Sequence, residues 1–330
     1  MAIDLGTSRT RIWLDREGLV LDEASTLAVD QRRGKVIAVG DEALAMKGRV
    51  DQPVKIFEPI QQPKVTNDDQ LLALLKAFLQ QVNQEHYFFN PTIVTAVADK
   101  TSPAVKQVIA KTISNLGAKE ALIVSQPLAA AIGVGVPIVD ASGCFLIQLG
   151  AGVLEAAAIS LGKIVQVESN DQAGQYLDQL IKGYFYQQHF LKISLSTAEK
   201  VKINLGTVDE KVNYQMTVAG QNWQRSSPQE MEISAGQIRD IIHEYAVEVE
   251  QLIKSLLASV PPDLTTDAVD KGLLLSGGLA QLDGLDQTLT QSLNLPVSVV
   301  DEPDLAVVRG LGTIVGHLDE FKQSLGYQLD

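Results

Sequence analysis

Short apolar runs alternate along this chain with longer segments in which apolar residues recur at helical spacing. Runs at residues 2–5, 11–15 and 19–22 predict three successive strands, the first two joined through a glycine loop. A strand at 35–39 and a helix over 41–47 follow. Polar, proline-containing sequence at 59–69 leads into a helix whose apolar positions are Leu71, Leu72, Leu75, Phe78, Leu79 and Val82. The β-rich run 92–97 reads as a buried strand. Helix 102–116 opens on the cap Ser102, has Pro103 in its first turn and stops at Gly117. A strand at 121–124 precedes a helix of small residues. The second half, from about residue 137, predicts strands at 155–159 and 164–167 and helices at 174–188 and 197–205. A strand pair at 211–218 and near Met231, a helix over 234–257, strands at 272–276 and 297–300 and helix 304–318 complete it. Strands alternating with helices in each half predict an α/β fold.

The halves also repeat each other. Asp4-Leu5-Gly6-Thr7-Ser8 falls on Gln148-Leu149-Gly150-Ala151-Gly152, and the same shift lays Gly18 on Gly162. Glycine permits positive φ and leaves no side chain in the way, so such a loop can aim backbone N–H groups at an anion. Two such loops facing across a cleft would hold a polyphosphate from both sides.

Composition narrows the classes. A chain of 330 residues has room for two domains with sizeable cores. Its net charge of −13 argues against nucleic acid, and against attraction to anionic headgroups. The lone Cys144 lies in an apolar run, where a buried core thiol is expected and no internal disulfide can form. His86, His189, His243 and His317 show no ligand spacing, and no nucleophile elbow is present. The chain opens on a strand, which predicts no signal peptide, and the nearly uncharged stretch 127–139 is too short to cross a bilayer. A cytoplasmic protein is expected.

Paired glycine hairpins in a duplicated α/β chain resemble the actin, Hsp70 and sugar-kinase superfamily. Within it the chain is similar to the MreB family of bacterial actins over nearly its whole length. The resemblance rests on Ile3-Asp4-Leu5-Gly6-Thr7, Gly18 to Glu23, Val39-Gly40-Asp41-Glu42-Ala43 and Gly48-Arg49. Gln126-Pro127-Leu128-Ala129-Ala130-Ala131-Ile132-Gly133, Thr197-Ala198-Glu199-Lys200-Val201-Lys202 and the strand and glycines from Leu273 to Gly278 extend it. It implies duplicated actin-like (ribonuclease H-like) domains, each with a smaller subdomain, around a nucleotide cleft. The implied divisions are 1–22, 58–136 and 304–330 for subdomain IA and 23–57 for IB. Residues 137–171 and 234–303 would form IIA, and 172–233 IIB.

The same resemblance implies ATP or GTP with Mg2+ as ligands. Gly6, Thr7, Ser8 and Arg9 would form the first phosphate loop and Gly150, Ala151 and Gly152 the second. Asp4 would act on the metal through water. Glu199, Lys200, Val201 and Lys202 would reach the ribose and base, with Gly277, Gly278, Leu279 and Ala280 approaching from the other side. Several positions depart from the family pattern. Gln148 replaces an aspartate, Val153 and Leu154 replace two threonines, and Gln126 replaces the glutamate that positions the attacking water. A glutamine can still orient water, as actin-like proteins and other phosphoryl-transfer sites show. Leu279 stands where a third glycine is usual, and would either pack on the base or block it. These changes predict a nucleotide bound but hydrolysed slowly or not at all, which leaves enzymatic activity open.

Tyr87, Phe88 and Phe89 precede the turn formers Asn90 and Pro91. The family resemblance implies that an apolar loop here dips into the membrane; folding inward onto helix 71–82 is the alternative. Three buried aromatic rings contribute on the order of 5 kcal/mol before association entropy, so attachment would need the avidity of a filament. The implied partners are further copies of the chain, the inner face of the cytoplasmic membrane and membrane proteins of the wall-synthesis complex. A non-polymerising actin-like adaptor of division or pilus machinery is the alternative function.

Overall fold

The structure, a computed structural model, describes residues 1–83 and 90–324. The two halves carry the same sheet. In the first, strands Gly18–Ala24, Arg9–Leu14, Ala2–Leu5, Thr92–Val97 and Glu120–Ser125 lie side by side in that order. In the second, Lys163–Asn170, Leu154–Ser160, Cys144–Leu149, Leu273–Ser276 and Val297–Val299 do so. Each begins with two antiparallel pairings and ends with two parallel ones. Parallel strands need crossover connections, and helices supply them, which accounts for the alternation read from the sequence.

Smaller sheets stand apart from these two. Leu27–Asp30 pairs with both Lys35–Val39 and Val54–Phe57. Gln215–Asn222 pairs with Ser227–Ser234 and with the short strand Leu191–Lys192. This second hairpin starts at Gln215 rather than 211, because Asp209 caps a turn by accepting from the Lys211 N–H at 2.8 Å.

Two helices, Gln126–Gly133 and Ala306–Gly316, pack in one apolar cluster with Ala2 and Val94 of the first sheet and Leu146 and Ala157 of the second. They approach closely because Gly133 and Gly310 face each other's helix; a Cβ on either would collide with main-chain atoms there. Helix Asp68–Asn83 buries Leu71, Leu74, Leu75, Phe78 and Val82, so Leu74 rather than Leu72 completes the face. Ser102 caps helix Pro103–Asn115 by accepting from the Val105 N–H. Cys144 is half-buried rather than fully in the core, and burial pushes its thiol up to about 11. No helix among the described residues is long and apolar enough to cross a membrane. Tyr87, Phe88 and Phe89 lie outside the described residues.

Candidate functional site

Each central sheet ends in a loop of the same build. Leu5 pairs with Thr10 and Leu149 with Leu154, so both hairpins close over an equal span. A Cβ on Gly6 would lie 2.5 Å from the Arg9 carbonyl oxygen, and one on Gly150 would lie 2.8 Å from that of Val153. The turns are therefore too tight for any other residue. Ser25 braces the first loop: its Oγ donates to the Gly6 carbonyl at 2.6 Å and its N–H to that of Ser8 at 2.9 Å. The N-terminus of helix Gly174–Gln188 braces the second, with the Gly174 N–H on Gly150 O at 3.1 Å and the Gln175 N–H on Ala151 O at 2.8 Å.

The loops meet. Gly152 lies against the Thr7 side chain so closely that a Cβ there would strike Thr7 Oγ1. Between and beneath them opens a cavity of about 480 Å³, within the range of small-molecule sites. Residues 6–9 and 150–153 line it, together with Gly277, Gly278 and Leu279 and with Glu199 and Lys202. Of the residues expected here, Asp4, Gln126 and Gln148 also line it. Lys200, Val201 and Ala280 do not: Val201 and Ala280 are packed into the core and Lys200 lies on the outer face of helix Leu195–Leu205. Leu279 lies 3.3 Å from the position a Cβ on Gly174 would take, so it packs on the second loop's brace.

Charge in the cleft is arranged by pairs. Asp4 is buried and opposite Arg11 in strand register; burial pushes its carboxyl up to about 6 against the pull of that guanidinium. Arg11 Nε lies 3.1 Å from Asp22 Oδ2, and its terminal nitrogens donate to the Asp304 carbonyl at 2.7 Å and Oδ2 at 3.0 Å. Arg9 turns its side chain to Asp22 and Asp41, so only its backbone faces the loop. Lys202 pairs with Asp178 at 2.8 Å, and burial lifts Asp178 to about 6 despite the lysine. Four glutamines, Gln62, Gln126, Gln148 and Gln281, also line the cleft. Gln62 is spent internally: Nε2 donates to Leu5 O at 2.8 Å and Oε1 accepts from the Ala98 N–H at 3.0 Å. Gln148 Oε1 is buried without a partner.

The sequence profile of MreB/Mbl protein matches residues 1–323. The chain belongs to the MreB/Mbl family. The cell shape-determining protein Mbl of Bacillus subtilis is 30% identical over 321 residues, spanning 97% of this chain and 96% of that protein. In structure, MreB5 of Spiroplasma citri bound to ADP superposes with a TM-score of 0.92 at 24% identity, covering 99% of this chain and 98% of that one. The MamK double helical filament subunit superposes at 0.80 with 19% identity, over 95% and 97% of the two chains. The fold is actin-like.

Arg11, Gln62 and Asp304 were not anticipated in the cleft of this MreB/Mbl protein. Arg11 had a signal, a charged residue opening the strand expected at 11–15; Gln62 had none, lying in a polar connection. A magnesium ion prefers oxygen ligands, typically one or two carboxylates, phosphates and several waters. Asp4, opposite Arg11 in strand register, is the cleft-lining carboxylate on the strand that leads into the first loop, and Glu199 and Asp304 also line the cleft. Among the described residues no group of three or more His, Cys, Asp or Glu is placed to hold a metal ion. Asp4 fits a magnesium ion held mainly by phosphates and waters, and would hold it through water.

Proposed function

We propose that this MreB/Mbl protein binds a purine nucleoside triphosphate between its two loops and polymerises into filaments that attach to the cytoplasmic membrane and organise cell shape and wall synthesis. The observation that carries the reading is the convergence of two identically built strand–loop–strand units on one cavity. Nucleotide in that place is supported by the ADP bound to MreB5 of Spiroplasma citri, self-assembly by the MamK filament and the shape role by Mbl. Residues 6–9 and 150–152 would take the phosphates, Glu199 and Lys202 the ribose and base edge, and Gly277, Gly278 and Leu279 the opposite face. The four-part division at the boundaries given above is likewise proposed, and membership of the two large and two small sheets supports it.

Hydrolysis should be slow. Gln126 is at the first turn of helix Gln126–Gly133 and lines the cleft, so it is the residue proposed to orient water. Gln148, Val153 and Leu154 offer neither carboxylate nor hydroxyl beside it. Losing an outer-shell partner lowers activity by about 10–100-fold. Phosphate release measured beside an MreB carrying aspartate at the Gln148 position tests this, and equal rates would refute it.

Calorimetric titration with ATP and with GTP tests binding and base choice together. Pelleting with and without nucleotide tests assembly: nucleotide bound by a chain that never pellets would favour the adaptor reading. Phe88→Ser/Phe89→Ser should abolish liposome co-sedimentation of assembled protein, and unchanged binding would count against the aromatic loop as anchor.

A further inference from the structure

We infer that Glu155 positions Gln148: its carboxyl O–H donates to the Gln148 carbonyl oxygen, which turns the amide NH2 into the cleft as a donor to the bound phosphates. This rests on the nucleotide-binding reading above. The two residues are register partners across the second hairpin, where opposed side chains on one face stand about 5 Å apart at Cβ. They share the face toward the first sheet. Leu146 and Ala157, two residues away on either strand, belong to the cluster between the sheets, whereas Ile147, Leu149, Leu154 and Ala156 pack in the cluster on the other side. Each of the pair carries a buried oxygen without a partner, Oε1 of Gln148 and Oε2 of Glu155. Leaving either alone is costly. An amide oxygen can only accept a hydrogen bond, and so can an ionised carboxylate. A proton on Glu155 lets the two oxygens satisfy each other.

The surroundings of Glu155 keep that proton in place. The residue is fully buried, and its Oε1 accepts from the Asp99 N–H at 2.7 Å, so the carboxyl is turned to the first half and away from the cleft. Its neighbour on the third strand, Ser169, is neutral. Asp99 opposes ionisation, while Lys100 and Lys106 favour it. Both lysines are also engaged elsewhere, Lys100 with Glu168 at 3.3 Å and Lys106 with the Asp99 carbonyl at 3.4 Å. Burial outweighs them and pushes the carboxyl up to about 8. Gln148 itself lines the cleft. With its carbonyl oxygen held inward, its N–H groups are what a phosphate oxygen meets. Ionising Glu155 reverses this: the amide turns its nitrogen to the carboxylate and presents a carbonyl oxygen to the anion.

Calorimetric titration of the purified full chain with ATP in excess magnesium, from about pH 7 to about pH 9, tests the inference. A terminal phosphate titrates near about pH 6 and is charged over that range. Asp4 and Asp178, pushed up to about 6, are ionised there too. Affinity should fall by about tenfold as pH rises through about 8, the loss of one hydrogen bond to a charged group. Glu155→Gln puts an N–H where the carboxyl O–H was, keeps the Gln148 NH2 turned to the cleft, and should remove that fall. Gln148→Met retains Glu155, and with it the loss of stability above about pH 8. It should nevertheless bind about tenfold more weakly at pH 7 and lose no more as pH rises. Wild-type affinity independent of pH would overturn the inference while leaving nucleotide binding standing. A Gln148→Met protein whose affinity still falls with the parent's slope would also overturn it, since the fall would then owe nothing to the amide. Absence of binding at every pH would sink the nucleotide reading itself, and this inference with it.

Discussion

Gly152 has no space for a methyl group, because Thr7 of the opposing loop and the Gln62 carbonyl oxygen, 3.1 Å from the would-be Cβ, already fill it. Gly152→Ala should therefore separate the two loops. The expected cost is about 1–3 kcal/mol, concentrated in the state that needs the loops together, so the rise in melting temperature on adding nucleotide should shrink. An undiminished rise would show that the loops do not close on the ligand. Glu155 makes a second residue-scale prediction. Burial lifts its carboxyl to about 8 from an ordinary 4.5, so the folded state holds the proton more tightly than the unfolded chain. Its contribution is full below about pH 4.5 and is lost as pH rises through about 8. Glu155→Gln should flatten the pH dependence of the urea midpoint over that window. An identical slope in the two proteins would remove Glu155 as the cause. At this scale the sequence was informative about glycines, whose spacing marks tight turns. It was poor on Arg11 and Gln62, since a polar side chain in a strand or connection does not declare which distant group will satisfy it.

Among elements, the contact of helices Gln126–Gly133 and Ala306–Gly316 offers the sharpest test. Gly310→Ala drives a methyl group into the Ala129 carbonyl and within 2.9 Å of the Gly133 nitrogen, and should cost about 3 kcal/mol, the upper end of overpacking. Gly183 lies inside helix Gly174–Gln188 with no atom within 4 Å of its would-be Cβ. There the same substitution should stabilise by about 0.5–1 kcal/mol through helix propensity. Denaturant midpoints of the two variants should move in opposite directions; movement in the same direction would discredit the packing account. Periodicity was strong enough to reveal most helices and, with the repeat that places Gln148 and Leu149 on Asp4 and Leu5, the strands of the two large sheets. It failed for helix Pro262–Lys271, which buries only Ala268, and for strand Leu27–Asp30, which is too short to show alternation.

For the whole molecule, the two sheets meet through the shared cluster of small and aliphatic residues around the two glycine-faced helices. Ties across the halves include Asp99 N–H on Glu155 at 2.7 Å and Lys100 near Glu168 at 3.3 Å. A ligand gripping both loops would bias the angle between the halves. If the proposed filaments stack head to tail, an open, heterologous contact, the fit between subunits depends on that angle, so nucleotide should change the critical concentration for pelleting. A Gly152→Ala protein, whose loops are held apart by the added methyl group, should lose this response; retention of the response would uncouple the cleft from assembly.

By itself the sequence determined most of the strands and helices in their order, the duplication and the two glycine turns, because these follow from periodicity, caps and backbone freedom acting over a few residues. Tertiary structure alone decided that the turns touch, that Arg11 lies among Asp4, Asp22 and Asp304, and that Glu155 turns away from the cleft. Those outcomes depend on how helices far apart in the chain pack between the sheets, and no local pattern encodes that distance.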